Sequence, residues 1–93
     1  MTESILSNKK ECYICKTTQG LHRHHIYGGY NRNHSEKEGC WVYLCGYHHN
    51  LSAEGVHYNR ALDLVLKAKC QNRWEELNGT TEDFRRVFGK SWK

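Results

Sequence analysis

The chain has no proline, no internal repeat and no low-complexity tract, so no Pro-rich linker divides its 93 residues. No stretch approaches the roughly 18 apolar residues of a membrane span. Met1 to Lys10 lacks the apolar core of a secretory signal. Apolar residues are scarce throughout, at 38% of the chain and a mean hydropathy of −0.88. A chain this short buries only about 60–65% of the surface it exposes unfolded, so apolar burial alone leaves a marginal fold. Disulfides are one remedy, but five cysteines is an odd number. These absences lead us to expect one reduced, soluble, cytoplasmic domain with no membrane contact, stabilised by something other than its core. A structural zinc, with an apparent binding energy of about 10–16 kcal/mol in small modules, would fill that role.

Charge is present in modest excess. Fourteen Lys and Arg against ten Asp and Glu give +4, with a pI near 8.9. That balance is compatible with phosphate neutralisation by a nucleic-acid binder, but on its own it is weak support.

The strongest pattern is in the cysteines and histidines. Cys12-x-x-Cys15 and Cys45-x-x-His48 share the i, i+3 spacing. Each pair fits on one tight turn with both donors inward, and two pairs complete a tetrahedral zinc shell. We therefore assign structural zinc to Cys12, Cys15, Cys45 and His48. His49 is the alternative fourth ligand, disfavoured because His48 repeats the spacing of the first pair. A thioredoxin-like reading of Cys12–Cys15 requires a buried strand before the motif, and residues 1–10 are a polar, weakly patterned lead-in arm. Cys70 falls on an apolar helical face and reads as a small core residue. Cys40 has no assignment of this kind.

Along the chain, Leu21 to Tyr27 reads as a strand broken by Gly28-Gly29, and Asn31 to Gly39 as a polar loop or short helical turn. Trp41 to Leu44 reads as a second strand that delivers Cys45. From Asn59 the period changes. Leu62, Val65, Leu66, Lys69, Cys70, Trp74 and Leu77 mark one face of a helix ended by Asn78-Gly79, with Arg60, Asp63, Lys67, Asn72 and Glu75 largely opposite. Thr81-Glu82-Asp83 then reads as an N-cap with acids in the first turn of a short helix. Its Phe84/Val87/Phe88 face is expected to pack on the long helix.

His24, His25, His49 and His57 exceed the needs of one zinc. Folding the zinc site brings His24, His25 and His49 together, which leaves imidazoles free for chemistry. Neighbours on a strand face opposite ways, so His24 and His25 can serve different partners. His22 and His34 read as surface residues without a site role.

A zinc-tied hairpin and helix with His-His on the first strand resembles the HNH endonucleases. The resemblance rests on Cys12–Cys15, the strand Leu21-His22-Arg23-His24-His25-Ile26, Leu44-Cys45, and His48-His49 through His57. The tail down to Phe88-Gly89-Lys90 looks like that of small HNH-type phage and prophage proteins. The resemblance implies a small α+β fold: a zinc knuckle, a β-hairpin and a helix (ββα-metal, treble-clef-like), then a short C-terminal helix, all within residues 11–93. It implies that His24 ligates a catalytic divalent metal and His25 is the general base, with His49 and His57 as further ligands. Eight residues of straight helix would hold His49 and His57 about 12 Å apart, so Gly55 and Ser52-Ala53-Glu54 must fold the chain back. Cys40 stands where the family often has a hairpin-bracing asparagine.

The implied function is a metal-dependent DNA endonuclease or nickase, phage-related, acting in recombination, packaging or DNA processing. A phage or host recombination protein is a possible partner. Nitrogen ligands favour Mn²⁺, Ni²⁺, Co²⁺ or Zn²⁺ over Mg²⁺. Arg23, Arg32, Arg60 and Lys67, with Tyr27 and Tyr30, are the phosphate-contact candidates. The alternatives are a non-catalytic zinc module that binds DNA or protein, and a redox or zinc sensor resting on Cys40 and Cys70.

Overall fold

The computed structural model describes residues 2–52 and 54–93. Alternation of β-branched, aromatic and imidazole side chains builds an antiparallel pair, β1 (Leu21–His25) and β2 (Trp41–Cys45). Their register sets His22 opposite Leu44 and His24 opposite Val42 on one face, with Arg23 opposite Tyr43 and His25 opposite Trp41 on the other. The connection is a 3₁₀ turn, Gly29–Asn31, followed by helix α1 (Arg32–Glu38), so of the two readings of Asn31 to Gly39, polar loop or short helical turn, the helical one is found. Buried Ser35 clasps this excursion to the strand end. Its hydroxyl accepts from the Tyr27 amide at 3.0 Å and donates to the Tyr27 carbonyl at 2.7 Å. Gly39 ends α1 at φ 75°, and a Cβ there would collide with the Glu3 carbonyl.

Helix α2 (Gly46–His49) follows β2 directly, and α3 (Arg60–Asn78) starts at Asn59, whose side chain accepts from the Leu62 amide at 3.1 Å. Helix α4 (Thr81–Phe88) is capped one residue earlier than the sequence suggests. Thr80 and Asp83 form a reciprocal capping box. Both faces of the hairpin are covered. Val42 and Leu44 join Ile26, Tyr27, Leu66, Cys70, Trp74, Phe84 and Phe88 in the core. Phe84 meets Trp74 at 5.6 Å and Tyr27 at 5.3 Å between ring centroids, so α4 seals α3 against the strand end. The radius of gyration, 12.7 Å, is that of a single packed unit of this length.

Three expectations need correction. The N-terminal arm is docked: the Trp41 indole donates to the Thr2 carbonyl at 2.9 Å, and the Ile5 amide to the Gly39 carbonyl at 3.0 Å. Trp41 on the outer sheet face supplies the apolar surface that the arm covers. On α3 the buried stripe is Leu66, Cys70, Gln71 and Trp74, while Val65 and Leu77 are about half exposed. Asp63 and Lys67 are consequently not on a solvated far side but pair at 2.7 Å with little exposure. Tyr27 is a core residue, its hydroxyl donating to the Lys67 carbonyl at 2.6 Å. Among the described residues no helix is long and apolar enough to cross a membrane.

Candidate metal centres

Among the described residues, two groups of cysteine and histidine side chains come together that could hold a metal ion. In the first, the knuckle turn is closed by the Cys12 amide on the Thr17 carbonyl at 2.8 Å and the Lys16 amide on the Cys12 carbonyl at 2.9 Å, with Lys16 at φ 70°. The Tyr13 amide donates to the Tyr43 carbonyl at 2.8 Å, which ties the knuckle to β2. This brings Cys12, Cys15, Cys45 and His48 together, with their ligand atoms within 4.8 Å of one another. Sγ of Cys15 and Cys45 are 3.7 Å apart, and Nδ1 of His48 is 3.3 Å from Cys45 Sγ and 3.8 Å from Cys12 Sγ. Two sulfurs about 2.3 Å from one tetrahedral zinc would be about 3.8 Å apart, and a sulfur and a nitrogen about 3.5 Å. The cluster can thus hold a metal ion such as zinc. Burial resists ionisation of Cys12, but amides of Cys15, Cys45 and Ile14 outweigh it and bring the thiol down to about 6. Burial instead pushes Cys45 up, so these two thiols of one cluster are shifted in opposite directions.

The second group is His24, His49 and His57. His49 closes the short α2, and the chain then doubles back, with the Val56 amide on the His48 carbonyl at 2.8 Å and the His57 amide on the His49 carbonyl at 3.1 Å. Gly55 permits this approach, since a Cβ there would lie 2.7 Å from the His49 carbonyl oxygen. Of the segment invoked for the reversal, Ala53 lies outside the described residues. Nε2 of His57 and His49 are 3.0 Å apart, and the His24 ring lies 5.3 Å and 5.5 Å from theirs.

Among the described residues, His24 Nε2 is a buried side-chain nitrogen without a hydrogen-bond partner. Such an orphan is costly unless a ligand takes the lone pair. Burial first, then the His49 and His57 rings, lowers His24 to about 4, so it is a neutral donor at pH 7. Burial, His57 and His22 also lower His49. Two nitrogens about 2.0–2.1 Å from one ion are about 2.8–3.4 Å apart for N–metal–N angles from 90° to tetrahedral, a range that includes the 3.0 Å of the His49–His57 pair. The donor set fits a divalent ion of the borderline class.

His25 ends β1 on the opposite face from His24. Its Nε2 is 3.7 Å from Glu36 Oε1, and its Nδ1 is 3.5 Å from Arg32 Nε. Because the strand ends here, His24, His25, His49, His57, Arg32 and Lys67 nonetheless line one cleft of about 420 Å³. Arg23 also lines this cleft, but it is engaged there: it pairs with Glu36 at 2.6 Å and stacks on the Trp41 ring at 3.7 Å. Lys67 is held by Asp63 and lies 4.6 Å from the Trp92 ring centroid. Arg32, Arg60 and Tyr30 are exposed.

Sequence reasoning missed three residues of this region. His22, read as surface, has Nδ1 3.0 Å from His49 Nδ1. Its i, i+2 spacing from His24 on a strand was the available signal. Glu36 and Asp63 reach the site only because α1 and α3 cross the hairpin, and no local pattern announces that. Cys40 and Cys70 are fully buried. Hydrogen bonding to Cys70 first, then burial, raises the Cys40 thiol and keeps it protonated. That is the setting of an inert core thiol and gives no support to a redox sensor. Comparison of the chain with family models, with curated proteins and with solved structures found no match.

Proposed function

We propose that this protein is a metal-dependent DNA endonuclease or nickase built on a ββα-metal, treble-clef-like frame. Zinc at Cys12, Cys15, Cys45 and His48 is structural, and His24, His49 and His57 hold the catalytic divalent ion. The observation that supports the reading is the orphaned Nε2 of His24 converging with His49 and His57 in a cleft that His25 also lines.

A divalent ion there supplies charge neutralisation on the scissile phosphate and the leaving oxygen. The remaining steps fall to side chains. Glu36 faces His25 Nε2, which favours a proton on that atom, and Arg32 Nε–H donates to Nδ1 at 3.5 Å; once Arg32 turns to a phosphate oxygen, Nδ1 is the nitrogen that takes a proton from the attacking water. Arg32, next to that nitrogen and exposed, is placed to meet a phosphate oxygen. With Arg23 and Lys67 engaged in ion pairs, Arg32 and Arg60 are the two of the four phosphate-contact candidates that stay exposed. Among the described residues lining the cleft there is no base-reading array, so sequence preference is expected to be low or supplied by a partner in phage recombination or packaging.

The test is nicking of supercoiled plasmid with Mn²⁺, Co²⁺, Ni²⁺ or Mg²⁺ by wild type and His25→Ala. Loss of a general base should slow cleavage by about 10²–10⁴-fold. Metal content and DNA binding should stay unchanged. Cleavage by His25→Ala at the wild-type rate would sink the base assignment. Intact plasmid with every metal, alongside retained DNA or protein binding, would point to a non-catalytic zinc module.

A further inference from the structure

His22 and His24 are separated by one residue on β1 and leave the same face of the hairpin. His24 enters the metal cluster, and His22 meets its rim. The two Nδ1 atoms of His22 and His49 are 3.0 Å apart, with the rings edge-on at 5.1 Å between centroids. His49 turns its other nitrogen, Nε2, toward His57. Its two ring nitrogens are therefore divided between two neighbours.

Two imidazole nitrogens at hydrogen-bond distance share one proton, so one donates and the other accepts. A neutral imidazole that offers the Nε2 lone pair carries its proton on Nδ1. His49 is then the donor and His22 Nδ1 the acceptor. Leu44, opposite His22 across the hairpin, brings no side-chain polar atom to compete for that role. The arrangement is an acceptor behind a ligating histidine, the relation that sets tautomer and ring plane in metal sites.

We propose that His22 is a positioning residue: its Nδ1 accepts the Nδ1 proton of His49 and so presents His49 Nε2 to the metal. This rests on the reading of His24, His49 and His57 as a metal site, and not on the identity of the reaction. His22 is exposed and contributes little to the core, so its replacement leaves the fold in place.

The experiment is a Co²⁺ titration of the full chain with its Cys12/Cys15/Cys45/His48 cluster already zinc-filled. Co²⁺ absorption reports affinity, X-ray absorption counts nitrogen ligands, and far-ultraviolet dichroism monitors folding. His22→Ala should weaken Co²⁺ binding about 10–100-fold with zinc content unchanged. His22→Asp, which restores an acceptor, should recover most of the affinity, while His22→Lys, which can only donate, should remain as weak as His22→Ala. Equal affinity of wild type and His22→Ala overturns the proposal, as does equal recovery by Asp and Lys, which would indicate packing alone. A nitrogen count that falls by one in His22→Ala also overturns it, since His22 would then be a ligand. A wild type that takes up no Co²⁺ beyond the zinc site removes the underlying three-histidine reading and this inference with it.

Discussion

Gly55→Ala should damage the histidine site while sparing the cysteine site. The added Cβ would sit 2.7 Å from the His49 carbonyl oxygen, 2.8 Å from its carbon and 3.1 Å from the Ser52 carbonyl oxygen, where ordinary contact begins at 3.4 Å. All three atoms are backbone, so no side chain can rotate away. Relieving the closest contact needs a shift of 3.4 − 2.7, or about 0.7 Å. That shift falls on a chain reversal held by the His57 amide on the His49 carbonyl, already 3.1 Å, and would stretch it past hydrogen-bonding length. Overpacking of this kind costs about 1–3 kcal/mol. His57 moves with the loop, and its Nε2 loses its 3.0 Å match to His49. Metal affinity at the histidine site should fall by at least the 10–100-fold that about one lost supporting contact produces. Isothermal titration with Ni²⁺ on zinc-loaded protein measures this, with zinc content by mass spectrometry and a thermal melt in parallel. Gly28→Ala is the control, because a Cβ at Gly28 meets open space. Wild-type Ni²⁺ affinity in Gly55→Ala, at an unchanged melting temperature, would refute the reasoning.

Removal of metal from the Cys12, Cys15, Cys45 and His48 cluster should collapse tertiary structure, because metal binding in so small a domain is folding energy. A cooperative melt that survives complete chelation would contradict this. His24 gives a pH prediction for protein without metal in the histidine site. Its folded value of about 4 lies below the ordinary 6.5, so the unfolded chain binds the proton more tightly. The stability it contributes is full above about pH 6.5 and lost as pH falls toward 4. Between pH 7 and pH 5 the loss from this group should be roughly 2 kcal/mol. Urea unfolding of wild type and His24→Asn at both pH values isolates it, and equal slopes would show that His24 is not a buried neutral imidazole. Plasmid cleavage should be supported better by Mn²⁺, Co²⁺ or Ni²⁺ than by Mg²⁺, and His24→Asp should tilt the preference toward Mg²⁺ by supplying a hard oxygen donor. A metal profile led by Mg²⁺ in the wild type would argue against the proposed cleavage at a nitrogen-ligated metal held by His24, His49 and His57.

Local signals in the chain carried much of the architecture. Short-range chemistry marks the knuckle at Cys12–Cys15, the two strands around Arg23 and Val42, the long helix ending at Asn78-Gly79 and the turn into α4. Each depends on spacing or capping within a few residues, so each is written where it acts. The pairing of Cys12–Cys15 with Cys45–His48 was also legible, because equal spacing at two places is a pattern that survives without coordinates. The orientation of α3 was not. Its buried stripe runs through Gln71 rather than Val65, because α4 and the C-terminal residues, including the Trp92 amide on Gln71 Oε1 at 2.6 Å, decide which side is inside.

What the sequence determined by itself is the inventory: a small domain short of apolar surface, with two matched pairs of metal-ligand residues and more imidazoles than one zinc requires. Only the tertiary structure decided how those imidazoles divide. A chain reversal at Gly55 carries His57 back to His49, strand alternation sets His24 and His25 on opposite faces of the hairpin, and α1 brings Glu36 beside His25 and Arg23. Contacts between residues far apart in the chain settle these matters, and they exist only once hairpin, helices and N-terminal arm have packed together.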